Sequence, residues 1–115
     1  MKKVNGDRAR LNHILAAIDE ILNYVDNYDF DAFLKDSKTK FATIKQLEII
    51  GEAANHITEE TKLRFTNVEW QKIGGLRNIL VHEYFGIDEN IVWGIIVKNL
   101  PELKNSIQCI LQKFN

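Results

Sequence analysis

The chain has one cysteine, one proline, no excess of either charge and no long apolar run in its 115 residues. Its lone thiol, Cys109, has no intrachain partner, so no disulfide framework holds the fold together. Cys109 lies among Ile107, Ile110 and Leu111 on what reads as a buried helical face, and is expected to be a core residue. No stretch of about 18 apolar residues occurs, and residues 1–7 lack the apolar core of a signal peptide. The expected compartment is therefore the cytoplasm, with no membrane among the partners. Fifteen basic side chains against sixteen acidic ones leave a net charge of −1, whereas strong non-specific nucleic-acid binders carry a clear positive excess. Any RNA contact must be local, in a groove that pairing of two copies could concentrate, and no DNA is expected.

Strand-like alternation is also scarce, so the chain reads as all-α. Apolar residues at 45% and charged ones at 27% are ordinary globular usage, and the length suits one domain, 1–115, around one modest core. Leu11, Ile14, Leu15, Ile18, Ile21, Leu22 and Val25 recur at three- and four-residue steps, the apolar stripe of a helix over roughly 8–26. Asn27-Tyr28-Asp29 breaks it, and Phe30, Phe33 and Leu34 ride a short helix capped by Asp29. After a polar turn at Asp36-Ser37-Lys38, a central helix from about Lys38 to Thr61 carries Phe41, Ile44, Leu47, Ile50, Gly51, Ala54 and Ile57. Its small residues Gly51, Ala53 and Ala54 would let a neighbouring helix approach closely. Residues 65–69 connect to a further helix marked by Trp70, Ile73, Leu76 and Leu80, which Gly74-Gly75 should kink or loosen and Gly86 should stop. Asp88 can cap the last helix, with Ile87 and Val92 as a hydrophobic staple. Pro101 should kink that helix near Asn99 or restart it from its own first turn.

Within that fourth helical region lies Leu76-Arg77-Asn78-Ile79-Leu80-Val81-His82-Glu83-Tyr84. Metal-independent cleavage of RNA needs a base for the 2′-hydroxyl proton, an acid for the leaving 5′-oxygen, and donors for the charge growing on phosphorus. His82 suits the first or second role. Arg77 suits the third, since a guanidinium stays charged and can hold two phosphate oxygens. On a regular helix Arg77 and Tyr84 stand about 20° apart, but His82 lies about 140° from Arg77. The helix must unwind, or the long arginine must reach round, or a two-fold dimer must bring both protomers' copies to one groove. The last is the preferred expectation, because it supplies an acid and a base from one histidine per chain. An ion-paired Arg77, a carbonyl-bonded His82 and a half-buried Tyr84 would account for the same residues without chemistry.

Glu48 and Glu52 stand four apart on one face of the central helix. Glu52 could orient Arg77 or His82, or the pair could bond Lys45 and other neighbours. His56, a turn beyond Glu52, makes only a two-ligand metal site, so no metal or cofactor is expected. His13, beside the apolar stripe of the first helix, is expected to be structural.

The run from Trp70 to Asn78, His82 to Asp88, Ile91-Val92-Trp93, Leu100-Pro101-Glu102-Leu103 and the upstream block Leu47 to Ala54 together resemble the HepT-like family of HEPN domains. The similarity spans roughly residues 8–112 and includes the family's Arg-x4-His-x-Tyr motif as Arg77, His82 and Tyr84, with Asn78 after the arginine. It implies a bundle of four to five helices that dimerises with both motifs facing a shared cleft. It implies further a metal-independent endoribonuclease, the toxin of a type VII toxin–antitoxin pair, with RNA as substrate. The antitoxin implied is an MntA-like nucleotidyltransferase that transfers AMP from ATP to the motif tyrosine, here Tyr84. Catalytic roles then fall to Arg77 and His82, supporting ones to Asn78 and Glu52. Two other readings stay open: a non-catalytic helical dimer that binds a nucleotidyltransferase or a nucleotide, and a purely structural dimer.

Overall fold

A computed structural model describes residues 2–76 and 88–114, with side chains from Gly6 onward. Helix α1 runs Lys2–Tyr24, starting earlier than the periodicity suggests. Leu11, Ile14, Ile18 and Ile21 are buried along it, with Val25 just past its end. Asn27 then takes a left-handed φ of 65°, a conformation asparagine tolerates better than most residues, and the chain turns into α2, Phe30–Lys35. As expected, Asp29 caps α2, accepting from the Ala32 N–H at 2.8 Å. Phe33 is fully buried, 5.2 Å from the Trp93 ring.

No separate polar turn follows. Asp36 ends α2 and at once caps α3, Ser37–Asn55, by accepting from the Thr39 N–H. Helix α3 packs chiefly against α1 and also meets the short helix at Trp70–Gly74. Leu47, Ile50 and Ala54 are wholly buried there, and Gly51 and Ala53 are buried too. Phe41, expected in the stripe, is 60% exposed; it lies six residues before Leu47, about 120° round the helix from it.

The central helix also ends sooner than its periodicity suggests, at Asn55. Thr58 caps a separate short helix α4, Glu59–Arg64. The cause sits far away in sequence: the Asp7 carboxylate, buried at the base of α1, accepts from the Thr58 N–H at 3.0 Å, the Thr58 hydroxyl at 2.6 Å and the Thr61 hydroxyl at 2.5 Å. Those bonds hold Thr58 in the extended conformation of an N-cap, which a continuous helix would forbid.

Helix α5, Trp70–Gly74, follows the expected connection and stops at the glycine pair, with Gly75 as its C-cap. Beyond residues 77–87, Asp88 caps α6, Glu89–Gly94, by accepting from the Asn90 and Ile91 N–H groups; the Ile87 half of the expected staple lies outside the described residues. The chain then runs through a π-helical turn, Ile95–Asn99, into α7, Leu100–Gln112, with Pro101 in its first turn. Pro101 offers no N–H to the carbonyl four residues back, and the wider turn before it is the observed form of the expected irregularity. Val92, Ile96, Leu100, Ile107 and Ile110 face the core from this composite helix. Cys109 does not: it is exposed, because two residues past Ile107 is about 200° round the helix. The architecture is all-α, with no strand among the described residues, and it has more pieces than the four to five helices expected.

Candidate functional site

Arg77, Asn78, His82 and Tyr84, together with Glu83, lie outside the described residues, so the geometry on view is that of their surroundings. On the upstream side the frame is firm. Trp70 is buried and its indole N–H donates to the Phe65 carbonyl at 3.0 Å, which fixes the entry to α5. At the other end of α5, Asn55 Nδ2 donates to the Gly74 carbonyl at 3.2 Å. A Cβ placed on Gly74 would sit 2.1 Å from Asn55 Oδ1, so any larger residue would have to displace the Asn55 amide that joins α5 to the end of α3. Leu76 then buries itself against the core immediately before Arg77. On the downstream side, Asp88 caps α6, and Glu89 is held by Lys40 of α3 at 3.0 Å. That bond from the Lys40 ammonium is the main reason the Glu89 carboxyl is held below its usual range.

Of the residues named for the site, the structure shows Glu52. It is on the outer face of α3, 60% exposed, and its partner is His56: Nδ1 lies 3.6 Å from Glu52 Oε2 and 2.9 Å from the Glu52 backbone carbonyl. The second contact assigns the imidazole proton to Nδ1. Glu48 lines the same cleft, in keeping with the shared face read from their spacing, but among the described residues neither glutamate pairs with Lys45.

That face of α3 and the opposing part of α1 enclose a cleft of about 650 Å³ lined by Arg10, His13, Lys45, Glu48, Glu52 and His56. His13 was expected to be structural; it is exposed and reaches this cleft instead, because it stands one residue before Ile14 and so off the buried stripe. Arg10 carried no signal in the sequence, since one arginine just before an apolar stripe is ordinary. Only the pairing of α1 with α3 brings it to the same cleft as Lys45. Among the described residues, no group of three His, Cys, Asp or Glu side chains is placed to hold a metal ion, and no helix is long and apolar enough to cross a membrane.

Comparison with known proteins places this arrangement. Residues 14–110 match the family described as Ribonuclease HepT-like. A protein of Caldanaerobacter subterraneus subsp. tengcongensis named "Putative RNase" is 39% identical over 106 residues, covering 92% of this chain and 95% of its own. One of the same description from Methanocaldococcus jannaschii is 35% identical over 103 residues, 90% of this chain and 94% of its own. The "Probable ribonuclease HepT" of Thermococcus cleftensis is 36% identical over 108 residues, 94% and 96% of the two chains. No solved structure matches. The chain belongs to the HepT-like ribonuclease family.

Proposed function

We propose that this protein is a metal-independent endoribonuclease that works as a homodimer, and that it is the toxin of a type VII toxin–antitoxin pair. The observation that carries the reading is that the family match, residues 14–110, contains the whole Arg77-x4-His82-x-Tyr84 motif. The ribonuclease names of relatives that align over nearly their full length support RNA as the substrate.

In this reading the His82 imidazole of one protomer takes the 2′-hydroxyl proton, and the resulting oxygen attacks the adjacent phosphorus. The partner's His82 protonates the departing 5′-oxygen, leaving a 2′,3′-cyclic phosphate and a 5′-hydroxyl. Arg77 holds the non-bridging oxygens as charge grows on them, and Asn78 orients the phosphate or the adjoining backbone. Glu52 is assigned a supporting role, exerted through the end of α3 that Asn55 ties to α5. Silencing follows from the same electrostatics: an MntA-like nucleotidyltransferase would transfer AMP from ATP to the Tyr84 hydroxyl, releasing pyrophosphate. The added phosphate then competes with RNA for Arg77 and His82.

The test is cleavage of single-stranded RNA in EDTA by the purified protein beside His82→Ala and Arg77→Ala. Each variant should lose at least about a hundredfold in rate. Equal rates in all three would remove both assignments, and no cleavage by any of them would favour the non-catalytic binding module.

A further inference from the structure

The α1–α3 cleft gathers charged side chains from two helices. Its 650 Å³ falls within the range of about 300–1,000 Å³ usual for small-molecule sites. It brings together two permanent cations, two carboxylates and two imidazoles: Arg10 and His13 come from α1, and Lys45, Glu48, Glu52 and His56 follow one another along α3 and its C-cap. Among the described residues neither cation makes an ion pair. Of the carboxylates, Glu52 is drawn toward His56 while Glu48 has no such partner. Part of the lining is apolar, from Ile49 at 36% exposure and the mostly buried Ala53.

We infer that this cleft binds a short stretch of single-stranded RNA, with Arg10, His13 and Lys45 on phosphate oxygens and Glu48 accepting from a ribose hydroxyl or a base amino group. The inference rests on the ribonuclease reading above. A bare polyanion would favour a cleft of one sign, whereas a nucleotide carries anionic phosphate, neutral donors and a flat apolar face within one unit. The cleft presents a counterpart to each of the three. Lys45 to His56, the C-cap of α3, is eleven residue steps, about 16 Å of helix, room for a few nucleotides. At the His56 end, the next residue back, Asn55, holds the Gly74 carbonyl, so the cleft and α5 meet the same end of α3. Ribose-phosphate contacts along the cleft would add affinity without selecting sequence.

The experiment uses the full chain carrying Arg10→Gln and Lys45→Gln together, checked for native helicity by circular dichroism. Its partner is a fluorescein-labelled 12-nucleotide single-stranded RNA, titrated at several salt concentrations. The unsubstituted protein should bind, and the double variant should bind at least tenfold more weakly. Its slope of log K against log salt should be shallower by about 1.4, as losing two phosphate contacts on a single strand requires. A double variant that binds with the same affinity and slope as the parent would overturn the inference while leaving cleavage, measured in parallel, to judge the ribonuclease reading. A parent that binds RNA without cutting it would do the reverse. A double variant whose mass by light scattering falls from the parent's would identify the cleft as a contact between copies and also overturn the inference.

Discussion

At Asp36 a single carboxylate takes the Tyr28 hydroxyl at 2.6 Å, the Thr39 N–H at 3.0 Å and the Thr39 hydroxyl at 2.7 Å. The Tyr28 bond is the largest influence, the two Thr39 bonds follow and Lys38 adds a little, so that its pKa is lowered from 3.8 to about 2. All three donors favour the ionised form. Since the folded value lies below the unfolded one, the stabilisation is complete above about pH 4 and is lost as pH falls from there through about 2. Tyr28→Phe removes the largest cause, so NMR titration of the Asp36 carboxyl should show its midpoint rising toward 3.8. A midpoint that stays near 2 would assign the effect to Thr39 alone. None of this was legible in the sequence, where Asp36 read as part of a polar turn: a residue that ends one helix and caps the next leaves the same trace as a loop.

Among the elements, the join of α5 to α3 is the one on which the motif's framing depends. It rests on Asn55 and on the missing side chain at Gly74. Gly74→Ala should cost about 1 kcal/mol by displacing the Asn55 amide and breaking its bond. In an Asn55→Ala background the same substitution should be neutral or stabilising, since alanine is the better helix former and the clash is gone. Urea denaturation of the four proteins gives the coupling directly, and additive costs would show that Asn55 and Gly74 do not act as a pair. The sequence showed the glycine pair as a weak point in a helix but not why it is there. Helix existence was well foretold, by the stripe from Leu11 to Val25 and by the Asp29 and Asp88 caps. Helix ends were not, because the break after Asn55 is imposed by Asp7, and a bond across 51 residues has no local signature. Two successive four-residue steps, Val92 to Ile96 to Leu100, would drift about 80° on a regular helix; the π turn takes up that drift and keeps all three in the core.

For the whole molecule, the proposed chemistry rests on residue types read from the sequence. Arg77, His82 and Tyr84 were legible as a motif from spacing and resemblance, whereas the cleft of Arg10, His13 and Lys45 was not. It belongs to two helices, and neither shows a pattern until α1 is laid on α3. A body of 45 × 30 × 21 Å with one histidine in its motif has a direct quaternary consequence under the proposed mechanism. Light scattering on purified protein should give twice the 13.3 kDa chain mass, and RNA cleavage should fall with the square of concentration once dilution separates the protomers. Full specific activity in a 13.3 kDa species would rule out sharing of acid and base between copies.

That measurement is sensitive to the exposed Cys109. A solvent-facing thiol on the outer side of α7 can be oxidised by air to couple two chains covalently, end product of handling and not of assembly. Samples kept without a reductant would then show a doubled mass that persists in denaturant. The same thiol, blocked with a maleimide-linked spin label, becomes a single reporter position per chain. Chains joined at the sulfur have no thiol left to label, so one sharp spacing between two labels would come only from a non-covalent two-fold pair.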